Sequence, residues 1–258
     1  MKRGSSRRAV AGRGRTTGSC PKPSAPYATH SDSVRDLDAR LKEFYELRAA
    51  EEPARDPEAG LRFRKAISAA GLRAGETVLD LGAKWGGLAA SLDVAVDYTG
   101  LDLSEVNAEA AAKAGLKFVR GDVTEPLPFA AESVDCVFCL ELLEHLIAPA
   151  RLLAEIRRVL TEDGRAVVSV PSPYSWVEVA RELFGLHDTE GHLNAFTTPV
   201  MENLAGLTGF RIERRIGTSI RIPKTSRLIS TNSILARSRI YVLRPAADLV
   251  FAGRPIPR

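Results

Sequence analysis

The sequence predicts an α/β protein with a doubly wound, mostly parallel sheet of seven strands. Three observations indicate this fold: short apolar runs alternate with amphipathic segments, glycines or capping residues separate them, and the alternation continues through the middle of the chain. Right-handed crossovers place the helices of such a chain on both faces of a parallel sheet. With 258 residues the chain is long enough for one such domain with additions, and too short for two full catalytic domains.

Hydrophobic periodicity gives the order of the elements. The predicted strands cover 77–81, 97–101, 117–120, 134–140, 165–170, 210–216 and, as a final edge strand, 238–243. The predicted helices cover 32–50, 57–72, 86–92, 104–114, 150–160, 175–184 and 199–207. Ser104 is expected to cap the start of its helix and Gly115 to close it.

Charge and composition divide the chain into four parts. No acidic residue precedes Asp32, and the lysines and arginines there lie among Gly, Ser, Thr and Pro, so 1–31 is expected to be a disordered basic tail. A helix within 32–54 is expected to act as a lid, 55–216 to form the main domain, and 217–258 to be a basic extension. The basic end of the chain is either a solvated surface or a docking face for an acidic partner such as phospholipid, a phosphorylated glycan or RNA.

Composition also excludes several classes of protein. No segment approaches the roughly 18 to 20 uninterrupted apolar residues that cross a bilayer, and no apolar stretch follows the basic N-terminus. We therefore expect a protein that is neither secreted nor membrane-spanning, and its odd number of cysteines, three, fits a reducing cytoplasm. Cys136 and Cys139 are interpreted as core residues rather than a redox or zinc motif, because residues three apart on a strand point to opposite faces.

The turns after the strands form the predicted site, because ligands of an open parallel sheet bind beyond the carboxyl ends of its strands. The first turn contains Gly82 and Gly86, where the backbone can approach a ligand closely. Asp102 ends the second strand, from which a carboxylate can accept from both hydroxyls of a ribose. Asp122 follows the third strand and can accept from an exocyclic amine. These turns together predict a nucleoside-binding site.

At these residues the chain resembles the class I methyltransferases that use S-adenosylmethionine (SAM), specifically the small-molecule group with the type 11 methyltransferase domain. The resemblance covers about residues 77–210. It rests on Val78-Leu79-Asp80-Leu81-Gly82, Gly100-Leu101-Asp102-Leu103-Ser104, Gly121-Asp122, Leu127-Pro128-Phe129, Leu143-Glu144-His145, Arg158-Val159-Leu160, Asp163-Gly164 and the segment 191–197. It implies a Rossmann-like methyltransferase fold, SAM as the cofactor and methyl transfer as the activity.

The resemblance also implies roles for individual residues. Gly82 and Gly86 would approach the methionine part of SAM, Asp102 would bind the ribose, and Asp122 would bind the adenine amine. The other residues of the implied cofactor site are Asp80, Ala83, Lys84, Leu103, Val123, Leu140 and Glu141.

Lys84 departs from the family pattern, which has its central glycine at this position. The backbone of a lysine can still face the cofactor if the side chain turns outward, whereas a cation turned inward would meet the positive sulfonium unfavourably. We expect SAM binding to be retained. The same residue counts against NAD binding, because the dinucleotide fingerprint also needs a glycine there.

Candidate catalytic and acceptor-binding residues follow the fourth and fifth strands. His145 is the candidate general base or substrate-positioning residue, the alternative being that its ring only anchors a loop, and the neighbouring Glu144 is expected to face solvent or cap the next helix. Tyr174, His187 and His192 are predicted to contact the acceptor. No helical or hairpin spacing fixes the residues of the 187–192 cluster as ligands, so no metal site is predicted.

The predicted activity is methyl transfer from SAM to an oxygen of a small-molecule, glycan or lipid-linked acceptor. Arg214, Arg215 and Arg221 would hold an anionic part of that acceptor, and the basic C-terminal region could contact a membrane surface. A non-catalytic protein of the same fold, suggested by Lys84, is one alternative. An RNA methyltransferase is another, disfavoured because 140–145 has no Asn-Pro-Pro-Tyr-like turn and no RNA-binding module is recognisable. The sequence leaves the acceptor and the oligomeric state open.

Overall fold

The computed structural model describes residues 30–50, 58–188, 190–222 and 228–256. The chain divides into two compact units, Met1–Leu41 and Lys42–Arg258, and the sheet and the candidate site lie in the second. Nearly all of the expected basic tail lies outside the described residues, as do Lys224, Arg227 and Arg258 of the basic extension.

The helices of the described residues follow the predicted order, with one exception. They are α1 (His30–Ala50), α2 (Ala59–Ala70), α3 (Glu105–Lys113), α4 (Pro149–Val159), α5 (Trp176–Phe184) and α6 (Thr198–Leu207). The short helix predicted over 86–92 is a three-residue 3₁₀ helix, Ala89–Ser91, and not an α-helix. The preceding Gly82, Lys84 and Gly86 have φ of 70°, 48° and 87°, and an α-helix cannot start through such left-handed residues. None of the described helices has the length and hydrophobicity needed to span a bilayer.

Seven strands form one sheet in the order β3-β2-β1-β4-β5-β9-β6, and the short β7, β8, β10 and β11 form two separate hairpin-like pairs. The strands are β1 (Thr77–Leu81), β2 (Asp97–Asp102), β3 (Phe118–Arg120), β4 (Val134–Leu140), β5 (Leu160–Pro171), β6 (Phe210–Gly217), β7 (Ser219–Arg221), β8 (Leu228–Ser230), β9 (Ser238–Pro245), β10 (Leu249–Phe251) and β11 (Arg254–Ile256). The pairs β1–β2, β1–β4, β2–β3 and β4–β5 are parallel, so the predicted doubly wound, mostly parallel sheet is confirmed.

The strand β9 differs from its predicted place at the edge of the sheet. It lies between β5 and β6 and pairs antiparallel with both, so β6 is the edge strand instead. Its central residues Ile240, Tyr241, Val242 and Leu243 are completely buried, as expected for an interior strand. The sheet therefore takes in residues beyond the expected domain boundary at 216.

Each face of the sheet is covered by its own apolar cluster. Residues of β4 that point to opposite faces of the sheet join different clusters. Cys139 packs with Leu79 and Met201, whereas Cys136 packs with Ile67 and Phe138. Both cysteines are fully buried, and burial raises the pKa of the Cys136 thiol to about 12. Their interpretation as core residues is confirmed, because a buried neutral thiol on each face of a sheet packs as a small apolar group.

A buried ion pair joins α2 to the sheet at the amino ends of the strands. Arg165, 2% exposed on β5, donates from Nη1 and Nη2 to the two carboxylate oxygens of Glu76 at 3.1 and 2.6 Å. The same guanidinium donates through Nε to the carbonyl of Ala70 at the end of α2. The backbone N–H of Arg73 also donates to Oε2 of Glu76 at 3.0 Å. Burial would raise the pKa of Glu76, but these donors outweigh it and lower the pKa to about 2.

Several arginines of the basic C-terminal region are engaged by the body of the protein. Arg215 pairs with Glu202, and Arg244 pairs with Glu213 at 3.0 Å. Arg214 donates to the carbonyl of Ala69, and Arg237 lies 3.3 Å from Glu58. Much of the positive charge in this region therefore serves contacts within the fold.

Candidate functional site

The carboxyl ends of β1, β2, β3 and β4 meet at one edge of the sheet, because these strands are parallel neighbours. The turn after β1 is held against β2, since the backbone N–H groups of Gly82 and Ala83 both donate to the carbonyl of Leu101 at 2.9 and 3.1 Å. A Cβ at Gly86 would lie 2.1 Å from the side chain of Leu116, so the turn passes too close to its neighbour for any other residue without a shift. A Cβ at Gly82 would make only ordinary contact with Leu142 at 3.4 Å, and the approach of both glycines to a ligand stays a prediction.

Lys84 adopts the conformation that a glycine would adopt. Its φ is 48°, in the left-handed region, and its side chain is exposed. Its backbone N–H donates to Oδ2 of Asp102 at 2.9 Å. The lysine therefore presents its backbone N–H to Asp102 while its side chain is exposed, and its charge still acts on His145, whose pKa it helps to lower.

Asp102 lies at the end of β2 with a nearly complete set of hydrogen bonds. Oδ1 accepts from the backbone N–H of Ser104 at 3.0 Å and from Nδ2 of Asn107 at 3.1 Å. Oδ2 accepts from Lys84 alone among the described residues, so one further acceptor position of a carboxylate remains there. A ribose hydroxyl fits that position, and a second hydroxyl would have to replace one of the existing donors. Asn107 is a site residue that the sequence prediction missed, although its place in the first turn of α3 could have indicated it.

Asp122, the predicted adenine-amine acceptor, is already paired. Its Oδ1 accepts from the backbone N–H and the hydroxyl of Thr124 at 2.8 and 2.7 Å, and its other oxygen lies 2.6 Å from Nζ of Lys42. Burial would raise the pKa of Asp122, but Lys42 and Thr124 outweigh it and the pKa is lowered. The ammonium of Lys42 thus holds the place where an amine donor of the adenine was expected.

The last turns of α1, from Lys42 onward, contact the loop around residue 191 as well. The hydroxyl of Tyr45 lies 3.3 Å from the carbonyl of Gly191, and Nη1 of Arg48 donates to the carbonyl of Glu190 at 3.0 Å. The ring of Tyr45 meets the ring of His145 edge to face, with centroids 5.3 Å apart. This segment of the helix therefore touches both the predicted cofactor residues and the predicted catalytic residue.

Asp80 and Glu141, two further predicted cofactor residues, turn their carboxylates into the protein. Asp80 is 4% exposed and accepts from the hydroxyl of Tyr98 at 2.8 Å. Burial, opposed by that hydrogen bond and assisted by the charge of Asp102, raises the pKa of Asp80 to about 7. Glu141 accepts from the hydroxyls of Ser169 and Ser238 at 2.7 and 2.9 Å. Both carboxylates therefore make hydrogen bonds to neighbouring strands of the sheet, next to the turns of the site.

The remaining predicted cofactor residues present backbone or apolar surface. Leu140, at the end of β4, and Val123 are partly buried and pack against opposite apolar clusters. The carbonyl of Leu103 accepts from Nε of Arg120 at 3.2 Å, and Ala83 is buried in the first turn.

Glu144 is buried, contrary to the expectation that it faces solvent or caps a helix. It is 1% exposed, and neither of its carboxylate oxygens has a hydrogen-bond partner among the described residues. Its backbone carbonyl accepts from the N–H groups of Leu193 and Asn194 at 2.7 and 3.1 Å, which explains its position: the loop around residue 193 covers it. Burial, with the nearby charge of Glu141, raises the pKa of Glu144 well above its ordinary value.

The structure brings His145 and His192 together beside this carboxyl group. Their ring centroids are 5.1 Å apart, although 47 positions separate them in the chain. Nδ1 of His145 lies 3.3 Å from the carbonyl of Gly191, which selects the tautomer with hydrogen on Nδ1 and leaves Nε2 as an acceptor. Burial lowers the pKa of His145 to about 4, so the ring is neutral at pH 7.

The other predicted acceptor residues are more exposed than this cluster. Tyr174 follows β5 and is 37% exposed, and His187 is exposed on the loop after α5. Asp188 accepts from the backbone N–H of His192 at 2.7 Å and lies 3.6 Å from its Nδ1. Of the predicted histidines, only His145 and His192 therefore share one location.

Residues 79–168 match the family described as a methyltransferase domain. The demethylmenaquinone methyltransferase of Beutenbergia cavernae is 36% identical over 140 residues, which cover 53% of this chain and 55% of that protein. The phthiotriol/phenolphthiotriol dimycocerosates methyltransferase of Mycobacterium leprae is 39% identical over 97 residues, 35% of this chain and 36% of that protein. The curated relatives are thus matched over about half of their length or less, 36% to 55% for these two and 44% for an uncharacterised Streptomyces fradiae protein.

A solved structure gives a longer but more distant match. The 1,6-didemethyltoxoflavin N1-methyltransferase of Burkholderia thailandensis, determined with 1,6-didemethyltoxoflavin and S-adenosylhomocysteine bound, superposes with a TM-score of 0.57 at 22% identity. The superposition covers 87% of this chain and 93% of that one. The fold is therefore shared almost end to end with that enzyme.

Proposed function

We propose that the chain, whose residues 79–168 match the methyltransferase-domain family, transfers the methyl group of SAM to an oxygen of an apolar, lipid-like acceptor. The observation that carries the proposal is the acceptor position left on Oδ2 of Asp102, at the edge where Gly82 and Lys84 bring their backbone close. SAM supplies the methyl group on a sulfonium, whose carbon is attacked in line by a nucleophile.

The residues of the first three turns fit this cofactor. Asp102 takes the ribose, and the backbone of the 82–86 turn lies against the methionine part. Asp122 takes the adenine amine once Lys42 has withdrawn from it, so the last turns of α1 act as a lid that opens for the cofactor. The side chain of Lys84 is exposed, so solvent screens its charge from the sulfonium.

His145 is the residue proposed to meet the acceptor hydroxyl. Its neutral ring holds the loop through Nδ1 and Gly191, and leaves Nε2 to accept a hydrogen bond from the hydroxyl. Its low pKa makes it a weak base before transfer, so it mainly orients the hydroxyl toward the methyl donor. As the oxygen–methyl bond formed and the methyl–sulfur bond of SAM broke, Nε2 would take the proton that the hydroxyl loses and pass it to water.

The lipid-like character of the acceptor is supported by α5, which begins five residues after β5 ends at the site edge. No residue of this helix is buried, and Leu183 and Phe184 are 75% and 76% exposed. Trp176 and Val179 extend the exposed apolar surface toward the start of the helix. Surface of this kind marks a binding site for an apolar molecule more often than it occurs by chance. The two relatives above are named for demethylmenaquinone and for dimycocerosates.

Calorimetric titration with SAM, S-adenosylhomocysteine and NAD tests the cofactor site. We expect micromolar binding of the first two and none of NAD. Asp102→Ala should abolish binding, because it removes the ribose acceptor. The matched control is Asp97→Ala at the opposite end of β2, where the carboxylate pairs with the exposed Lys117 at 3.2 Å and with no other side chain that the structure describes. Folded protein that binds neither SAM nor its product would favour a non-catalytic role instead.

Transfer of labelled methyl groups to acceptors of increasing chain length tests the second half of the proposal. The double variant Leu183→Ser with Phe184→Ser should raise KM for long-chain alcohols or quinols while leaving SAM affinity unchanged. Equal KM values for short and long acceptors would contradict a lipid-like acceptor. Salt-dependent binding of RNA by the wild-type protein would favour a nucleic-acid substrate.

A further inference from the structure

We infer that Glu144, His145 and His192 form a binding site for a divalent transition-metal ion of the zinc type. One ligand atom of each residue lies within 4.8 Å of the ligand atoms of the other two. Ligand atoms around a tetrahedral zinc ion lie about 3.3 Å apart, given metal–ligand bonds of about 2.0 Å. Small side-chain rotations therefore bring the three atoms onto one ion. This site shares Nε2 of His145 with the proposed methyl transfer: in metal-bound protein that nitrogen is a ligand, and the acceptor oxygen would be held at the open position of the ion instead of by the ring. Metal binding itself does not require SAM.

The carboxyl group of Glu144 is the strongest sign of a missing partner. Buried polar groups in folded proteins are nearly always hydrogen-bonded, and an unpartnered buried carboxylate is destabilising. Glu144 is 1% exposed, and both of its oxygens lack a donor among the residues that the structure describes. Arg62 acts on this carboxylate through its charge, and a metal cation at the two histidines would add a directly bound counter-charge.

The two histidines are oriented as metal ligands usually are. Nδ1 of His145 faces the carbonyl of Gly191, which leaves Nε2 for a metal. The two ring nitrogens of His192 each lie 3.6 Å from a carboxylate, Nδ1 from Asp188 and Nε2 from Glu190. Whichever nitrogen binds the ion, the other has an acidic partner that fixes the ring and strengthens the ligand.

Two imidazoles and one carboxylate form a donor set that suits zinc and other first-row divalent ions better than magnesium or calcium. Three protein ligands leave a fourth position open for water or for an oxygen of the acceptor. The ion would also join the turn after β4 to the loop that carries His192, and so fix that loop over the acceptor side of the site.

Titration of the metal-free full chain with Zn²⁺ and Co²⁺ tests this inference. The background carries Cys20→Ser, because Cys20 lies outside the described residues, whereas Cys136 and Cys139 are buried. We expect one equivalent to bind with micromolar or tighter affinity, visible d–d absorption for Co²⁺, and a rise in Tm with metal that a chelator reverses.

The variants separate this site from adventitious binding. His192→Ala and Glu144→Gln should each weaken binding by about tenfold or more. His187→Ala, the same substitution at an exposed residue of the same loop, should leave it unchanged. Absence of saturable binding by the parent protein, or equal affinity in the parent and His192→Ala, would overturn the inference. SAM calorimetry on the same samples reports the cofactor site independently, so failure of one proposal does not imply failure of the other.

Discussion

Two buried glutamates at opposite edges of the sheet have opposite surroundings. Glu76 precedes β1 and shares its oxygens among donors of Arg165 and Arg73, which lower its pKa to about 2. Glu144 follows β4, has no donor on either oxygen among the described residues, and has a raised pKa. A buried carboxylate whose oxygens accept hydrogen bonds from neighbouring residues stabilises the fold. One whose oxygens have no donor within the protein is suited to binding a ligand.

Backbone strain does not follow this difference. Four described residues other than glycine have positive φ: Lys84 and Glu141 lie at the carboxyl ends of the strands, Glu132 lies just before β4 at the amino ends, and Ala252 lies between β10 and β11. Residues other than glycine cost about 1 kcal/mol or more in this conformation. The contrast between the two ends of the sheet therefore rests on the surroundings of the two glutamates.

The largest effect on stability is expected from breaking the buried ion pair between Glu76 and Arg165. Glu76→Gln leaves the guanidinium of Arg165 buried without a counter-charge, which should lower the free energy of unfolding by about 3–5 kcal/mol at pH 7. Urea unfolding measures it. The control is Glu213→Gln, which breaks an exposed Glu–Arg pair with Arg244 and should cost less than about 1 kcal/mol. Equal losses in the two variants would mean that burial of the first pair has no special consequence.

Ionisation of Asp80 should make the free energy of unfolding depend on pH. Its folded-state pKa of about 7 exceeds the ordinary value of 3.8, so the folded protein binds more protons than the unfolded chain between these values. The resulting stability is present near pH 4 and is lost as the pH rises through 7, by up to about 4 kcal/mol. Asp80→Asn keeps an acceptor for Tyr98 and should remove this slope, whereas Asp97→Asn on the surface should keep it. The check is the free energy of unfolding of the three proteins from pH 4 to pH 8.

Most of the fold could be predicted from the sequence, because apolar periodicity and capping residues are local signals. The place of β9 could not, since periodicity identifies a strand without giving its neighbours. Asp102 was predictable from its distance to Gly82 along the chain. The cluster of Glu144, His145 and His192 was not, because it depends on a long loop folding back. Likewise nothing local marks Arg165 as the partner of Glu76, 89 residues earlier.

Glu144→Gln should behave in the opposite way to Glu76→Gln. In metal-free protein it replaces a buried carboxyl group whose oxygens have no hydrogen-bond partner in the described part of the chain, so no hydrogen bond is lost and the free energy of unfolding should stay the same or rise by about 1–2 kcal/mol. Urea unfolding in the presence of a chelator measures this. A loss of unfolding free energy comparable to that of Glu76→Gln would show that Glu144 already has stabilising partners within the protein. The contrast between the two glutamates would then be wrong.

The smallest effect concerns the strained backbone of the first turn. Lys84→Gly relieves a φ of 48° and should raise the free energy of unfolding by about 0.5–1 kcal/mol, because only glycine adopts this conformation without cost. Lys84→Ala keeps the strain and removes the charge, so it should leave stability unchanged. SAM titration of both variants then separates the two properties of the lysine. Tighter binding in both would mean that the charge opposes the sulfonium, and tighter binding in Lys84→Gly alone would mean that the turn must rearrange when Asp102 exchanges the Lys84 N–H for a ribose hydroxyl.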